Sequence, residues 1–281
     1  MKTHLLTSIL ILSCLPGFGQ PSKNYKDLIE ATKYPDSVQW LTLRDHGLHS
    51  FPEEILQFKN LKYLDLSRNN ISGLPNSIGL LERLAYIDLS GNSIGELPEG
   101  FGQLKNLRNL YMDYNVRQNL DANFQILSNL PVLHVLDISG DSISQLPPSI
   151  GKLRSLKYLE LSFNQIATLP PEFTQLRNLQ VLWINGDVHF NFEESINILG
   201  QLPKLKELHL EGDYVKAIPP GIKHLSSLEY LYLNGNELNT VPIEIKRMKN
   251  LRYLDLHNNR IPHIQRRITE DLLAPRIIIR F

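Results

Sequence analysis

Cysteine is nearly missing from this chain: Cys14 is the only one in 281 residues. A small disulfide-stapled fold is therefore excluded, and a hydrophobic core has to hold the structure together. Neither sign of charge is in excess, with 29 Lys and Arg against 29 Asp and Glu. Nucleic-acid and membrane-surface binders carry a basic surplus, so neither class fits. No apolar run approaches the ~20 residues of a membrane-spanning helix. The nine His residues show no HExxH spacing, and no nucleophile elbow or phosphate-cradling glycine loop appears. No enzyme activity, metal site or cofactor is expected.

The most apolar stretch lies at the start. Lys2 and His4 precede the run LLTSILIL at 5–12, and Pro16 and Gly17 break it. This reads as a secretory leader over 1–19, cleaved between Gly19 and Gln20. The tetrad Ile11-Leu12-Ser13-Cys14 loosely resembles a lipobox, so the alternative is a lipoprotein anchored through Cys14. Either way the expected location is outside the cell or in its envelope.

What the chain has in abundance is repetition. LKYLDLSRNNISGLPNSIGLLER from Leu61 aligns without a gap on LAYIDLSGNSIGELPEGFGQLKN from Leu84. The frame extends to units starting at Val38, Leu61, Leu84, Leu107, Leu133, Leu156, Leu179, Leu205, Leu228 and Leu251. Seven intervals are 23 residues, and those from Leu107 and Leu179 are 26. Within a unit, positions 1, 4 and 6 are apolar, as Leu61, Leu64 and Leu66 are, while positions 3, 5 and 7 alternate outward. That is the period of two of a half-buried strand. The Pro of runs such as Leu74-Pro75 cannot donate a ladder hydrogen bond, so it belongs on the return path away from the sheet.

The LxxLxLxxN frame resembles the leucine-rich-repeat family over residues 38–264. The LPxxI half of each unit, clear at Leu74-Pro75 with Ile78 and at Leu146-Pro147 with Ile150, is similar to the 23-residue class common in bacteria. A short helix ahead of the first unit and an LLxP-strand ending resemble secreted repeat proteins of Bacteroidetes. The resemblance implies an α/β fold: a right-handed solenoid, a horseshoe arc with a concave parallel sheet of about ten strands. It also implies that the position-9 Asn (Asn69, Asn92, Asn115, Asn164, Asn236, Asn259) stacks into a ladder that satisfies backbone groups. Asp141, Asp187 and Asp213 replace it in three units and His46 in the first. An ionised Asp only accepts, so each replacement is expected to leave a carbonyl short of a donor.

Phe124, Leu127 and Leu130 after Leu120, and Ile196, Leu199 and Leu202 after Phe192, have helical spacing in the two long units. Two short convex helices are expected at 121–130 and 193–201, with extended or 3-10 segments elsewhere. The expected organisation is a leader at 1–19, an N-terminal helical cap at 20–37 with its helix over 25–33, ten repeats at 38–264, and a C-terminal cap at 265–281 ending in a strand.

The concave positions 3, 5, 7 and 8 collect both Trp and eight of the eleven Tyr. These are Trp40, Tyr63, Tyr86, Tyr111, Tyr114, Tyr158, Trp183, Tyr230, Tyr232 and Tyr253. Such side chains dominate interface hot spots, although part of the enrichment reflects the strand preference of aromatics. Nine acids share these positions: Asp45, Asp65, Asp88, Asp113, Asp137, Glu160, Glu207, Glu211 and Asp255. Only Arg44 and Arg68 oppose them, with His209 and His257 close by. The candidate ligand-binding set is the ten aromatics with Glu207, His209, Glu211 and Asp255, and loops near 114–117 and 188–192 form a candidate rim. The expected function is a non-enzymatic scaffold that binds a protein through this aromatic and acidic face. The alternatives are an extracellular glycan binder, or a structural cell-surface repeat protein with the face unused.

Overall fold

The alternation of inward Leu and outward side chains becomes a ladder of three-residue strands in the computed structural model, which describes residues 23–115, 118–273 and 275–281. The expected leader and Cys14 lie outside the described residues. In chain order the elements are β1 (Asn24–Tyr25), α1 (Leu28–Thr32), β2 (Trp40–Thr42), β3 (Tyr63–Asp65), β4 (Tyr86–Asp88), β5 (Asn109–Tyr111), α2 (Leu120–Leu127), β6 (Val135–Asp137), β7 (Tyr158–Glu160), β8 (Val181–Trp183), α3 (Phe192–Leu199), β9 (Glu207–His209), β10 (Tyr230–Tyr232), β11 (Tyr253–Asp255), α4 (His263–Leu273) and β12 (Ile278–Arg280). The strands form one sheet, β1 to β12 in chain order, and neighbours pair in parallel. Equivalent positions meet across the sheet: Trp40 faces Tyr63, and Tyr63 faces Tyr86.

The sheet has two strands more than the ten expected, and both belong to the caps. An open sheet edge exposes unpaired N–H and C=O groups, so each end is closed by an extra strand. At the start Tyr25 lies in β1, not in the expected helix; its side chain is buried and its hydroxyl meets Ser37 Oγ at 2.8 Å. The helix begins only after Asp27, whose carboxylate caps the N–H of Glu30. At the far end β12 pairs with β11 as expected. Helix α4 before it was not foreseen; it follows Pro262 and buries Thr269 and Leu273.

On the convex side Pro52, Pro75, Pro98, Pro147, Pro170, Pro219 and Pro242 each stand in extended conformation before a five-residue 3-10 turn. The middle residue of each turn (Ile55, Ile78, Phe101, Ile150, Phe173, Ile222 or Ile245) is fully buried. Successive turns stack closely: a Cβ on Gly100 would fall on the carbonyl oxygen of Asn76. The two long units replace this turn with α2 and α3, each N-capped by an Asn side chain, Asn119 or Asn191. One hydrophobic core runs unbroken from Tyr25 to Ile277.

The Asn ladder is present. Asn164 is typical: its Oδ1 accepts from the N–H groups of Asp141 and Ile143, both at 3.0 Å, and its Nδ2 donates to the carbonyls of Ile138 (3.0 Å) and Leu161 (2.7 Å). Where two successive units both carry Asn, the position-6 carbonyl is served twice, by its own unit and by the next, as at Leu66, Leu89 and Leu233. This softens the expected shortage at the Asp replacements. Beside Asp141, Met112 C=O still receives Asn115 Nδ2 (3.0 Å) and gains Gln118 Nε2 (3.2 Å). The same Gln118 amide donates to Asp141 Oδ2 at 2.6 Å. Ile184 C=O is different, because it lies between Asp187 and Asp213 and loses both amide donors.

All three ladder Asp side chains are buried, so none presents a charge to a partner. Asp213 Oδ2 has no hydrogen-bond partner. Burial raises its pKa to about 9, although the N–H of Asp187 bonds Oδ1. A raised folded-state pKa gives stability that is full below the unfolded value and is lost as pH climbs through the folded one. Asp213→Asn removes that loss and restores a donor. We predict a gain of about 1–3 kcal/mol, a rise of about 2–4 °C per kcal/mol in the melting temperature, larger at pH 8 than at pH 5 by the same linkage. A fall in melting temperature on thermal scanning would contradict the assignment.

Candidate functional site

Side chains at positions 3 and 5 emerge from the sheet opposite to the buried Leu41, Leu64, Leu110 and Leu182, so Trp40, Tyr111 and Trp183 share the concave side. Strand spacing of about 4.8 Å is close to aromatic stacking distance, and the rings form ladders. The first runs Trp40–Tyr63–Tyr86–Tyr111, with centroid separations of 4.3, 4.2 and 5.2 Å. The second runs Trp183–His209–Tyr232–Tyr253, at 5.3, 4.2 and 5.4 Å. Both step diagonally between positions 3 and 5 at one end. The stacked rings spend their faces on one another. Tyr86, Tyr111 and Trp183 are buried as a result, so they pack the concave surface as well as decorating it. Tyr158 is half-buried and joins Tyr63 in packing against a separate apolar cluster of Tyr86, Tyr111 and Val135.

His209 sits at the centre of the second ladder. Its Nε2 lies 2.8 Å from Glu207 Oε1 and its Nδ1 3.4 Å from Glu211 Oε2. Burial disfavours its charge, but the bonds to the two carboxylates outweigh that and raise its pKa. Burial, aided by Glu207, likewise pushes the Tyr232 phenol up to about 12, so it stays a donor. Tyr230 beside it is 36% exposed. Asp255 is buried and committed: it accepts from Tyr253 Oη at 3.0 Å and bonds His257 Nδ1 at 2.6 Å.

Position 8 differs from the expected strand face. It is a left-handed turn in every unit, with φ between 54° and 73°, occupied by Gly in five units and by Asp45, Arg68, Tyr114, Phe163 or Asn258 in the others. Tyr114 therefore sits on the rim, 51% exposed, its ring lying on Gly140 where a Cβ would collide with it. Phe163 rests on Gly186 in the same way. Of the other expected rim, Val188 is exposed but Phe190 and Phe192 are buried in the core, and 116–117 lie outside the described residues.

The acids are less free than their number implies. Asp65 accepts from Ser67 N–H (2.9 Å) and Oγ (2.6 Å), and Asp137 from Ser139 N–H (3.0 Å) and Oγ (2.7 Å). Burial and then neighbouring carboxylates push Asp137 well up, and burial raises Asp88 to about 7. Burial also brings Glu160 to about 7. The spacing of Asp and Ser two apart was visible in the sequence, but the depth of burial on a concave surface was not. Among the described residues, no three His, Cys, Asp or Glu side chains form a group able to hold a metal ion. No helix there is long and apolar enough to cross a membrane.

A stacked parallel sheet, an Asn ladder and a surface of outward aromatic and acidic side chains define a repeat solenoid with a continuous concave face. The chain belongs to the leucine-rich-repeat family: the model described as "Leucine-rich repeat region" matches 38–122 and 114–193, and that described as "Leucine rich repeat" matches 203–261. Proteins of this family generally mediate protein–protein contacts and are typically non-enzymatic scaffolds. Among solved structures, a leucine-rich-repeat protein of Leptospira interrogans aligns with 24% identity and a TM-score of 0.42, covering 92% of this chain and 100% of that one. No curated protein matches the sequence.

Proposed function

We propose that this protein is a binding scaffold that grips a protein partner along its concave face, with the strip from Trp183 to Tyr253 as the anchor. The observation that carries this is the second ladder, where an exposed Tyr230 and the edges of Tyr232 and His209 stand among Glu207 and Glu211. Amphipathic rings beside charged acceptors are the usual make-up of an interface hot spot. Sugar stacking would use open ring faces, which the ladders cover, so a protein surface is the better match than a glycan. We also propose export, from the leader at 1–19, with Cys14 lipidation as the route to an envelope-anchored form. The LPxxI frame supports placing the chain in the 23-residue bacterial class.

With a partner captured on the mature chain, Trp183→Ala combined with Tyr232→Ala is expected to weaken binding about 30-fold or more, the loss of at least one hot-spot side chain. Circular dichroism should show the sheet intact in that variant. Unchanged affinity would remove the anchor assignment.

A further inference from the structure

The middle of the concave face carries a feature that the anchor strip does not use. From Leu84 to Phe163 four carboxylates point outward: Asp88, Asp113, Asp137 and Glu160. No Lys, Arg or His stands at positions 3, 5, 7 or 8 of those four units. In register, Asp88 faces Tyr111, Tyr111 faces Asp137, and Asp137 faces Glu160. The phenol of Tyr111 thus lies in the row of acids. Its side chain is 4% exposed, and its hydroxyl has no hydrogen-bond partner. On the same strand the Asn109 amide, 0% exposed and likewise without a well-formed hydrogen bond, lies next to the Tyr111 phenol. Buried polar groups are normally satisfied, and leaving one unmade costs free energy. Above this row stands Tyr114, strained at φ 56° and half exposed, its ring seated on Gly140.

Resting on the concave-face reading, we infer that this row is a cradle for the guanidinium of an arginine presented by the protein partner, with Asp137 and Glu160 as its carboxylates, Tyr111 Oη as a further acceptor, and the Tyr114 ring as a stacking surface. Arginine fits better than lysine. Its planar fork offers five donors, pairs with carboxylates and stacks on an aromatic ring. After burial, the acids that most raise the Tyr114 phenol's pKa are Asp113, Asp137 and Glu160. The groups facing the cradle are Asp65, Tyr86 and Asp88 on one side, Asp113 at its centre, and His209 beyond Glu160. Burial raises the pKa of Asp88, Asp137 and Glu160 in the free protein, so a bound cation displaces protons and binding strengthens as pH rises.

The test is titration of the intact protein with the peptide Ac-Gly-Arg-Gly-NH2 and its neutral citrulline analogue, followed by NMR of the tyrosine rings. Saturable binding is expected for the arginine peptide, about tenfold or more tighter than for citrulline, and tighter at pH 8 than at pH 6. Asp137→Asn with Glu160→Gln should weaken it at least about tenfold, and Tyr111→Phe by a smaller factor. Glu53→Gln with Glu54→Gln, on an exposed convex turn, should leave it within about twofold. No saturation, equal binding of citrulline, or indifference to Asp137→Asn with Glu160→Gln would overturn the cradle. Weakening by Glu207→Gln with Glu211→Gln but not by Asp137→Asn with Glu160→Gln would overturn the cradle but keep the concave face. The concave-face reading itself falls only if the captured partner ignores the Trp183 and Tyr232 substitutions.

Discussion

Asn164→Ala is expected to lower stability by at least about 3 kcal/mol, because each buried polar group left unpaired costs about 1–3 kcal/mol. The substitution strands four backbone groups at once: the N–H groups of Asp141 and Ile143, and the Ile138 and Leu161 carbonyls, whose other ladder positions are Asp141 and Asp187. Asn164 is itself buried, so water has little access for repair. Asn164→Asp should cost less, because the acceptor oxygen is kept and only the donors to the Ile138 and Leu161 carbonyls are lost. Chemical denaturation of the two variants ranks them. Equal stabilities would mean that the amide is not the structural unit of the turn.

A second large effect separates the two sides of one strand. In β10, Leu231 is fully buried between Leu208 and Leu254, while Tyr230 and Tyr232 point outward. Leu231→Ala is expected to cost about 2–5 kcal/mol, from lost transfer energy plus the cavity left behind. Tyr230→Ala should stay within about 1 kcal/mol, as surface substitutions usually do. The comparison is sensitive to register, because a shift by one residue would invert the order. Since neighbouring repeats share one core, the Leu231 loss should appear in the denaturation midpoint of the whole chain.

Much of this fold was legible in the sequence because its signal is repeated ten times. Inward Leu64, outward Tyr63 and convex Pro75 follow from period two and from a missing N–H, and the inward and outward positions recur in every unit. Helices α2 and α3 were visible from Leu120 and Phe192 onward for the same reason. The caps were harder. They occur once, so Tyr25 in β1 and the helix from His263 had no second copy to calibrate them. The turn at position 8 was hidden because its φ depends on a backbone reversal. Five glycines there gave a hint that Tyr114 and Phe163 obscured.

The face itself was legible only in part. Placing Trp40, Tyr63 and Tyr86 on one side needed no coordinates. That their rings stack face to face, leaving edges for a partner, depends on strand spacing and rotamers. The link between Gln118 and Asp141 likewise arises from how the long unit leaves the sheet, which residue types alone do not reveal.

Hydroxyl-radical footprinting of the protein with and without its bound partner addresses the concave face directly. Protection is expected at Tyr114, Tyr230 and Tyr232, with Leu80 and Ile243 on the convex turns reacting as in the free protein. Protection of Leu80 and Ile243, with the tyrosines unchanged, would show that the partner grips the outside of the arc.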